Sequence, residues 1–266
     1  MHDSVASDVT SASTRPALCA RGLVKSFGAK RAVAGVDLDV AHGSFFGIVG
    51  PNGAGKTTTL RMATGLLRPD GGRVWAEGID VWAQPVDAKA RIGVLPEELA
   101  LFERLTGLEL LTFHGLLRGM DAGVVATRSH QLLDLLGLDD AADVLVVDYS
   151  HGMRKKVALA AALIHAPRLL FLDEPFEAID PVSARAIRNV LEEFTKGGST
   201  IVFSSHVMEL VERLCDHVAV MAGGRVVWAG ALADLRGTGT LEDAFVALVG
   251  EPASRQELSW LSSSRD

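Results

Sequence analysis

A glycine-rich segment that ends in a lysine and two threonines has the most readily predicted chemistry in the sequence. It fits the pattern G-x-x-x-x-G-K-[ST] and consists of Gly50, Pro51, Asn52, Gly53, Ala54, Gly55, Lys56, Thr57 and Thr58. Glycines leave backbone N–H groups open to phosphate oxygens, and the start of a following helix adds about half a positive charge. We expect Lys56 to reach the β- and γ-phosphates of a nucleotide, and the Thr57 hydroxyl to bind Mg²⁺.

Two adjacent acidic residues follow a run of four apolar residues later in the chain. The run, residues 169–172, is typical of a strand buried on both faces, and Asp173 and Glu174 come directly after it. Ligands of open α/β sheets bind at the carboxyl ends of the strands, so we expect Asp173 to hold Mg²⁺ through water. Glu174 is then expected to act as general base on an attacking water. Taken alone, Asp-Glu-Pro is equally consistent with a turn that ends a strand.

A phosphate-binding loop and an acidic pair occur together in kinases, GTPases and many ATPases. No Asn-Lys-x-Asp segment occurs, which disfavours a GTPase that reads guanine. Residues 149–156 read Tyr-Ser-His-Gly-Met-Arg-Lys-Lys. This segment resembles the signature loop of ABC-type ATPases, which usually reads Leu-Ser-Gly-Gly-Gln before a basic helix. Ser150 and Gly152 match that pattern, whereas the first position, His151 and Met153 depart from it.

Three further residues fall where this family has functional elements. Phe27 stands where the family stacks an aromatic ring on adenine, Asp180 lies in the loop of the dimer contact, and His206 matches a histidine that contacts the γ-phosphate. Singly, Phe27 could be a packing residue, and His206 or Ser150 a helix cap. The resemblance covers about residues 17–235, and six elements occur in the family's order. A small-molecule kinase gives no reason for that order.

One position departs from the family in a way that bears on the metal. Glu97 stands where the family usually has a glutamine, whose neutral oxygen binds Mg²⁺. The resemblance therefore implies that Glu97 is a metal ligand, but a carboxylate adds negative charge beside Asp173 and Glu174. Two roles stay open for Glu97, namely binding the metal and coupling to a partner. Glu98 follows directly, so an alignment shifted by one residue is also open.

The resemblance implies that two copies of the chain act together, with ATP and Mg²⁺ as cofactors. The signature loop of one copy (Ser150, His151, Gly152 and Met153) would close over ATP bound by the other copy. At the start of a helix, the Ser150 hydroxyl and the Gly152 N–H would donate to the γ-phosphate in trans. Asp180 would contact the second copy. ATP would close this homodimer, and its hydrolysis to ADP and phosphate would reopen it.

The sequence around these residues predicts the elements that position them. Short strand-like runs at residues 17–24, 31–33 and 36–40 predict an antiparallel sheet, and the later alternation of strands and helices predicts a parallel one. Leucines at helical spacing predict a helical insert at about residues 97–162. The fold class is therefore α/β: a P-loop NTPase core with a mainly parallel sheet, an N-terminal antiparallel β subdomain and an inserted α-helical subdomain. The predicted domains are a disordered N-terminal tail (1–16), an ABC-type ATPase domain (17–240), and a C-terminal helix and tail (241–266).

Charge and hydropathy limit the possible partners. The formal net charge of −7 disfavours a general affinity for nucleic acid. A membrane span needs about 20 mostly apolar residues, and the best run, residues 157–172, is interrupted by His165, Pro167 and Arg168. We therefore expect a cytoplasmic protein, peripheral on the inner face of the cell membrane, that binds an integral membrane permease on a separate chain.

The run Leu-Pro-Glu-Glu and the phosphate loop look most like ATPases of ABC-2-type bacterial exporters. This resemblance predicts an ATPase subunit that powers a membrane transporter of the exporter type. Residues 96–119 are the expected docking surface, although their apolar faces are equally consistent with core packing. The alternative is a soluble ABC-type ATPase that acts mechanically on ribosomes or DNA. Such proteins usually carry two cassettes, long coiled coils or basic arms, whereas this chain has one cassette, no sustained heptads and a negative net charge.

Overall fold

The computed structural model describes residues 15–237 and 239–250 of the chain. Most of the predicted N-terminal tail, and the predicted tail from residue 251 onward, therefore lie outside the described residues. The strands are β1 (Leu18–Phe27), β2 (Lys30–Val40), β3 (Phe45–Val49), β4 (Gly71–Ala76), β5 (Ile79–Asp80), β6 (Ile92–Leu95), β7 (Leu169–Asp173), β8 (Thr200–Ser205), β9 (His217–Ala222) and β10 (Arg225–Ala231).

The strands form two sheets. The first has the order β2-β1-β4-β5 and is antiparallel, and the second has the order β10-β9-β3-β8-β7-β6. In the second sheet only β10 runs antiparallel to its neighbour. All residues of β3, β7 and β8 are buried, as expected for parallel strands covered on both faces. The α/β class with a mainly parallel sheet and an N-terminal antiparallel sheet is thus confirmed.

Helices connect and cover the strands. They are α1 (Lys56–Ala63), α2 (Pro85–Arg91), α3 (Gly107–Leu117), α4 (Ala122–Leu135), α5 (His151–Leu163), α6 (Pro181–Lys196), α7 (Met208–Leu214), α8 (Leu232–Arg236) and α9 (Leu241–Val249). Among the described residues, no helix combines the length and apolar character that a bilayer crossing requires.

Glycines in the left-handed region shape β2 and the end of α1. The runs at 31–33 and 36–40 form one strand, β2, in which Gly35 adopts a left-handed φ of 91° beside a shift in pairing register. Helix α1 ends at Ala63, because Gly65 adopts a left-handed φ of 72° directly after the C-cap.

The core consists of two apolar clusters on the two sides of the parallel sheet. One lies between the antiparallel sheet, α1 and one face of the parallel strands, and it includes Leu23, Met62 and Phe171. The other joins the opposite face of those strands to α3, α4, α5 and α6. Helix α5 is buried along most of its length and packs against β6 and α6, so it connects the predicted helical insert to the main core.

The helical part of the larger cluster gives a stability prediction. Leu133 on α4 is fully buried, whereas Leu135 on the same helix is half exposed. Truncating a buried leucine removes apolar burial and leaves a cavity, so Leu133→Ala should lower the free energy of unfolding by about 2–5 kcal/mol. Leu135→Ala is the matched control and should change it by less than about 1 kcal/mol. Equal losses in urea denaturation of the two variants would contradict this packing.

Candidate nucleotide site

A cleft of about 500 Å³ lies where several parallel strands end. Because β3, β6, β7 and β8 run parallel, the residues that follow their carboxyl ends meet at one edge of the sheet. These are the phosphate loop, Glu97, Glu174 and His206. The cleft is lined by Phe27, Lys30, Ala32, Asn52, Gly53, Ala54, Gly55, Lys56, Thr57, Thr58, Glu97, Glu174, Glu177 and His206.

The phosphate loop connects β3 to α1, and two of its glycines are required by close packing. A Cβ on Gly50 would collide with the carbonyl oxygen of Met221. Gly55 has a left-handed φ of 103°, and a Cβ there would lie 2.6 Å from the carbonyl oxygen of Ala32. The loop is therefore clamped between β2 and β9 with its backbone against the cleft. This is the arrangement that lets N–H groups at a helix start bind phosphate.

Lys56 lies inside the loop with its ammonium held at two points. Its Nζ donates to the Gly50 carbonyl oxygen at 2.8 Å and lies 3.8 Å from Glu174 Oε1. The side chain is almost fully buried. An ammonium has three N–H donors, so Lys56 can bond a phosphate oxygen in the cleft while it keeps the loop closed through Gly50.

Three oxygen-bearing side chains converge at the start of α1. Thr57 Oγ1 donates to Asp173 Oδ1 at 3.1 Å and lies 3.5 Å from Glu97 Oε2. Mg²⁺ prefers hard oxygen donors, and it usually takes one or two carboxylates together with substrate phosphates and water. A hydroxyl with two carboxylates fits that preference. Within the described ranges no cluster of three or more His, Cys, Asp or Glu side chains could hold a metal ion. Phosphate oxygens of a bound nucleotide would add ligands to this smaller set.

Glu174 occupies the centre of the cleft between a lysine and a histidine. Its Oε2 lies 3.0 Å from His206 Nδ1, and its Oε1 lies 3.8 Å from Lys56 Nζ. Glu174 adopts a left-handed φ of 47°, which is uncommon for a residue with a Cβ. The carboxylate thus points into the cleft, where it can accept a proton from a water. His206 does not cap α7, because Val207 is the N-cap residue there.

Ser204 is a site residue that the sequence analysis does not identify. Its Oγ donates to Asp173 Oδ1 at 2.5 Å and accepts the backbone N–H of Glu174 at 3.1 Å. It therefore holds both members of the acidic pair from the neighbouring strand β8. The signal that could have found it is a serine near the end of an apolar strand, two residues before His206.

Phe27 lies at the rim of the cleft, at the end of β1. Its residue surface is 52% exposed, so it is not a core residue. Lys25 Nζ lies 5.9 Å from the centroid of the ring. An aromatic face that is exposed beside a phosphate loop can stack on the base of a bound nucleotide.

The signature-loop residues lie outside the cleft, at the start of α5. Ser150 is the N-cap of this helix and accepts the Met153 N–H at 3.3 Å, so the capping interpretation of Ser150 holds. Ser150 and His151 are exposed. Gly152 is buried against α6, where a Cβ would press on Ser183 Oγ and Asp180 Oδ2.

Asp180 lies beside the signature loop as the N-cap of α6. Its Oδ1 accepts the N–H groups of Val182 and Ser183, both at 2.9 Å. The hydrogen bond with the Ser183 side chain, followed by the backbone bonds, lowers the pKa of Asp180. Asp180 is therefore a charged cap on the same face as Ser150. The structure brings these two predicted residues close together, and both lie outside the cleft.

Known proteins resemble this chain in sequence. The family model described as ABC transporter matches residues 33–177. The linearmycin resistance ATP-binding protein LnrL of Bacillus subtilis (strain 168) is 36% identical over 218 residues, which are 82% of this chain and 70% of that protein. The daunorubicin/doxorubicin resistance ATP-binding protein DrrA of Streptomyces peucetius is 39% identical over 215 residues, which are 81% of this chain and 65% of that protein.

Solved structures also resemble this chain in their fold. A solved structure of the ATP-binding subunit of an ABC transporter aligns with a TM-score of 0.81 and 28% identity, covering 87% of this chain and 98% of that chain. The family match extends over more than half of the 266 residues and includes the phosphate loop, the signature loop and the acidic pair. These findings confirm the resemblance drawn from the motifs. The chain belongs to the ABC transporter family, in which it is an ATP-binding protein and an ATPase.

Proposed function

We propose that this ATPase powers a membrane exporter by closing as a homodimer around two ATP molecules with Mg²⁺ and reopening when they are hydrolysed. One observation carries the proposal. The cleft holds the phosphate loop, Glu174 and His206 of one chain, whereas Ser150 and Gly152 lie outside it, on an exposed helix start. A second copy is the simplest source of a signature loop for each cleft.

Within one chain the residues divide the hydrolytic work. Lys56 and the backbone of the phosphate loop bind the β- and γ-phosphates, and Phe27 stacks on the adenine. Thr57, Asp173 and Glu97 would hold Mg²⁺, which would neutralise phosphate charge. Glu174 takes a proton from the attacking water, whose oxygen bonds to the γ-phosphorus as the bond to ADP breaks. The products are ADP and phosphate.

Across the dimer, the start of α5 supplies the remaining contacts. The Ser150 oxygen accepts a bond within its own helix, so its O–H is available as a donor to the γ-phosphate bound by the other copy. The positive end of α5 favours the same anion. Asp180 lies directly beside Gly152 and would contact the second copy at the same surface. Loss of the γ-phosphate removes these bonds, and the dimer opens.

An apolar patch on the helical part supports a membrane partner. It is formed by Phe102, Phe113, Leu116 and Leu117, which are all at least two-fifths exposed. The rings of Phe102 and Phe113 meet edge to face, with centroids 5.0 Å apart. Exposed apolar patches of this kind mark protein interfaces. The patch lies within the region expected to dock on an integral permease. The names of the resistance proteins described above favour export, and the place of action would be the inner face of the cell membrane.

The role of the phosphate loop can be tested with Lys56→Ala. A charge-assisted hydrogen bond contributes about 1.5–3 kcal/mol, so ATP affinity should fall by about 10- to 100-fold. Lys89→Ala, at an exposed lysine on α2, is the control and should bind ATP normally. Equilibrium titration with ATP and Mg²⁺ measures both. Unchanged affinity in Lys56→Ala would contradict the placement of the phosphates.

The roles of Glu174 and of the dimer can be tested with Glu174→Gln. An amide cannot accept the proton, so the hydrolysis rate should fall by about 100- to 10,000-fold while ATP still binds. The variant should then accumulate as a dimer in size-exclusion chromatography with ATP. Glu192→Gln, at an exposed glutamate on α6, should behave as wild type. Full hydrolysis by a strict monomer, at any dilution, would refute the composite site.

The docking patch can be tested with Leu117→Asp. Leu117 is 71% exposed, so a charge there should not disturb folding or ATP hydrolysis. It should reduce the membrane-bound fraction of the protein in its native cells by about tenfold or more, since a central apolar anchor contributes about 2 kcal/mol. Val86→Asp, equally exposed on α2, is the control. Equal membrane binding by Leu117→Asp and wild type would show that the patch is not the docking surface.

A further inference from the structure

A buried lysine on α5 has no role in the mechanism described so far. Lys155 is 3% exposed, and its Nζ donates to the carbonyl oxygens of Glu174 and Glu177, both at 2.8 Å. Burial lowers the pKa of Lys155, and the nearby carboxylates of Glu174, Glu177 and Glu97 oppose that shift. Moving an ammonium from water into the protein interior is unfavourable, so a lysine buried here must be stabilised by the bonds that it makes.

The two carbonyl groups that Lys155 binds belong to a strained turn. Glu174 and Ala178 adopt left-handed φ values of 47° and 54°. A left-handed φ is unfavourable for a residue with a Cβ, so the turn persists only if its surroundings hold it. Within the turn the Glu177 N–H bonds weakly to the Glu174 carbonyl oxygen, at 3.2 Å. The ammonium of Lys155 therefore fixes the turn at Glu174 and again just before Ala178.

The same lysine connects this turn to the signature loop. Lys155 lies five residues after Ser150 on α5, a rise of about 7.5 Å along the helix. At the start of α5, Gly152 packs directly against Asp180 and Ser183, which follow the turn. In the proposed dimer the signature loop acts on the ATP of the other copy. Its helix is joined to the backbone of Glu174, which is the base for the ATP bound by its own copy.

We propose that Lys155 is a positioning residue for ATP hydrolysis. Its ammonium holds the backbone of Glu174 so that the carboxylate lies between Lys56 and His206. It also makes that placement depend on the position of the helix that carries Ser150. This role rests on the proposed function, because it requires Glu174 to be the base. Lys155 does not touch the nucleotide, so its loss should affect the rate and not the binding of ATP.

The neighbouring lysine provides a matched control. Lys156 is 8% exposed on the same helix, but its Nζ donates to the Gly137 carbonyl oxygen at 3.3 Å and not to a carbonyl group of the turn. Methionine replaces the charge and donors of a lysine with an apolar side chain of similar length. Lys155→Met and Lys156→Met therefore remove similar buried charges, and only the first removes the bonds to Glu174 and Glu177.

The experiment is a double-mutant cycle on single-turnover hydrolysis of ATP with Mg²⁺ by the full chain. Lys155→Met should lower the rate by about 10- to 100-fold, because a small misplacement of a catalytic group has effects of that order. Its ATP affinity should stay within about threefold of wild type. In the Glu174→Gln background, the same substitution should lower the residual rate by less than about threefold, since the group it positions is already inactive. Lys156→Met should change the rate by less than about threefold in both backgrounds.

Three results would overturn the proposal. The first is an equal loss of rate in Lys155→Met and Lys156→Met, which would make Lys155 purely structural. The second is an equal effect of Lys155→Met in both backgrounds, which would place its action away from Glu174. The third is full activity of Glu174→Gln, which would show that Glu174 is not the base. This result refutes the proposed function, whereas the first two refute only the role of Lys155. If Lys155→Met does not fold, Lys155→Gln takes its place, and Lys155→Arg, which keeps charge and donors, should recover most of the lost rate.

Discussion

The parallel pairing of β3, β6, β7 and β8 is the constraint on which the candidate site depends. Parallel strands end at the same edge of a sheet, so segments that are far apart in the chain meet there without any long loop. The phosphate loop, Glu97, Glu174 and His206 all follow such strand ends. The burial of these strands on both faces fixes their register through side-chain packing. Core packing thus determines distances such as the 3.0 Å between Glu174 Oε2 and His206 Nδ1.

Negative charges outnumber positive ones at this edge of the sheet, and that imbalance favours the proposed Mg²⁺. Asp173 and Glu174 are buried side by side, and Glu97 lies within 3.5 Å of the Thr57 hydroxyl. A triphosphate adds several negative charges to the same space, and like charges in a poorly hydrated cleft repel strongly. Lys56 supplies a single positive charge. A divalent cation among these oxygens would make nucleotide binding favourable, and a glutamate instead of a glutamine at residue 97 would strengthen that dependence.

The sequence is sufficient to predict the parts of the site that rest on local patterns. The phosphate loop and the acidic pair are contiguous, and each stands beside an apolar strand whose length and composition are evident. Ser204 and Lys155 are not predictable in this way, because their partners lie about 30 and 20 residues away and only the folded sheet and helix bring them together. The left-handed turn at Glu174 is not predictable from the sequence either, since tertiary contacts rather than local preference maintain it.

The cleft and the start of α5 belong to one chain, in which α5 packs in the same core cluster as the parallel strands, and this arrangement favours cooperation between two copies. In the proposed dimer, the cleft binds and cleaves one nucleotide, while the start of α5 presents donors to a different one. The segment from Glu174 to Asp180 joins the two: Glu174 lines the cleft, and α5 contacts the segment through Lys155 and Gly152. Packed interfaces shift between discrete arrangements rather than deforming gradually. A movement of α5 as it binds the ATP of the other copy would therefore also shift the backbone of Glu174. The two sites of a dimer would sense each other through the backbone of each chain.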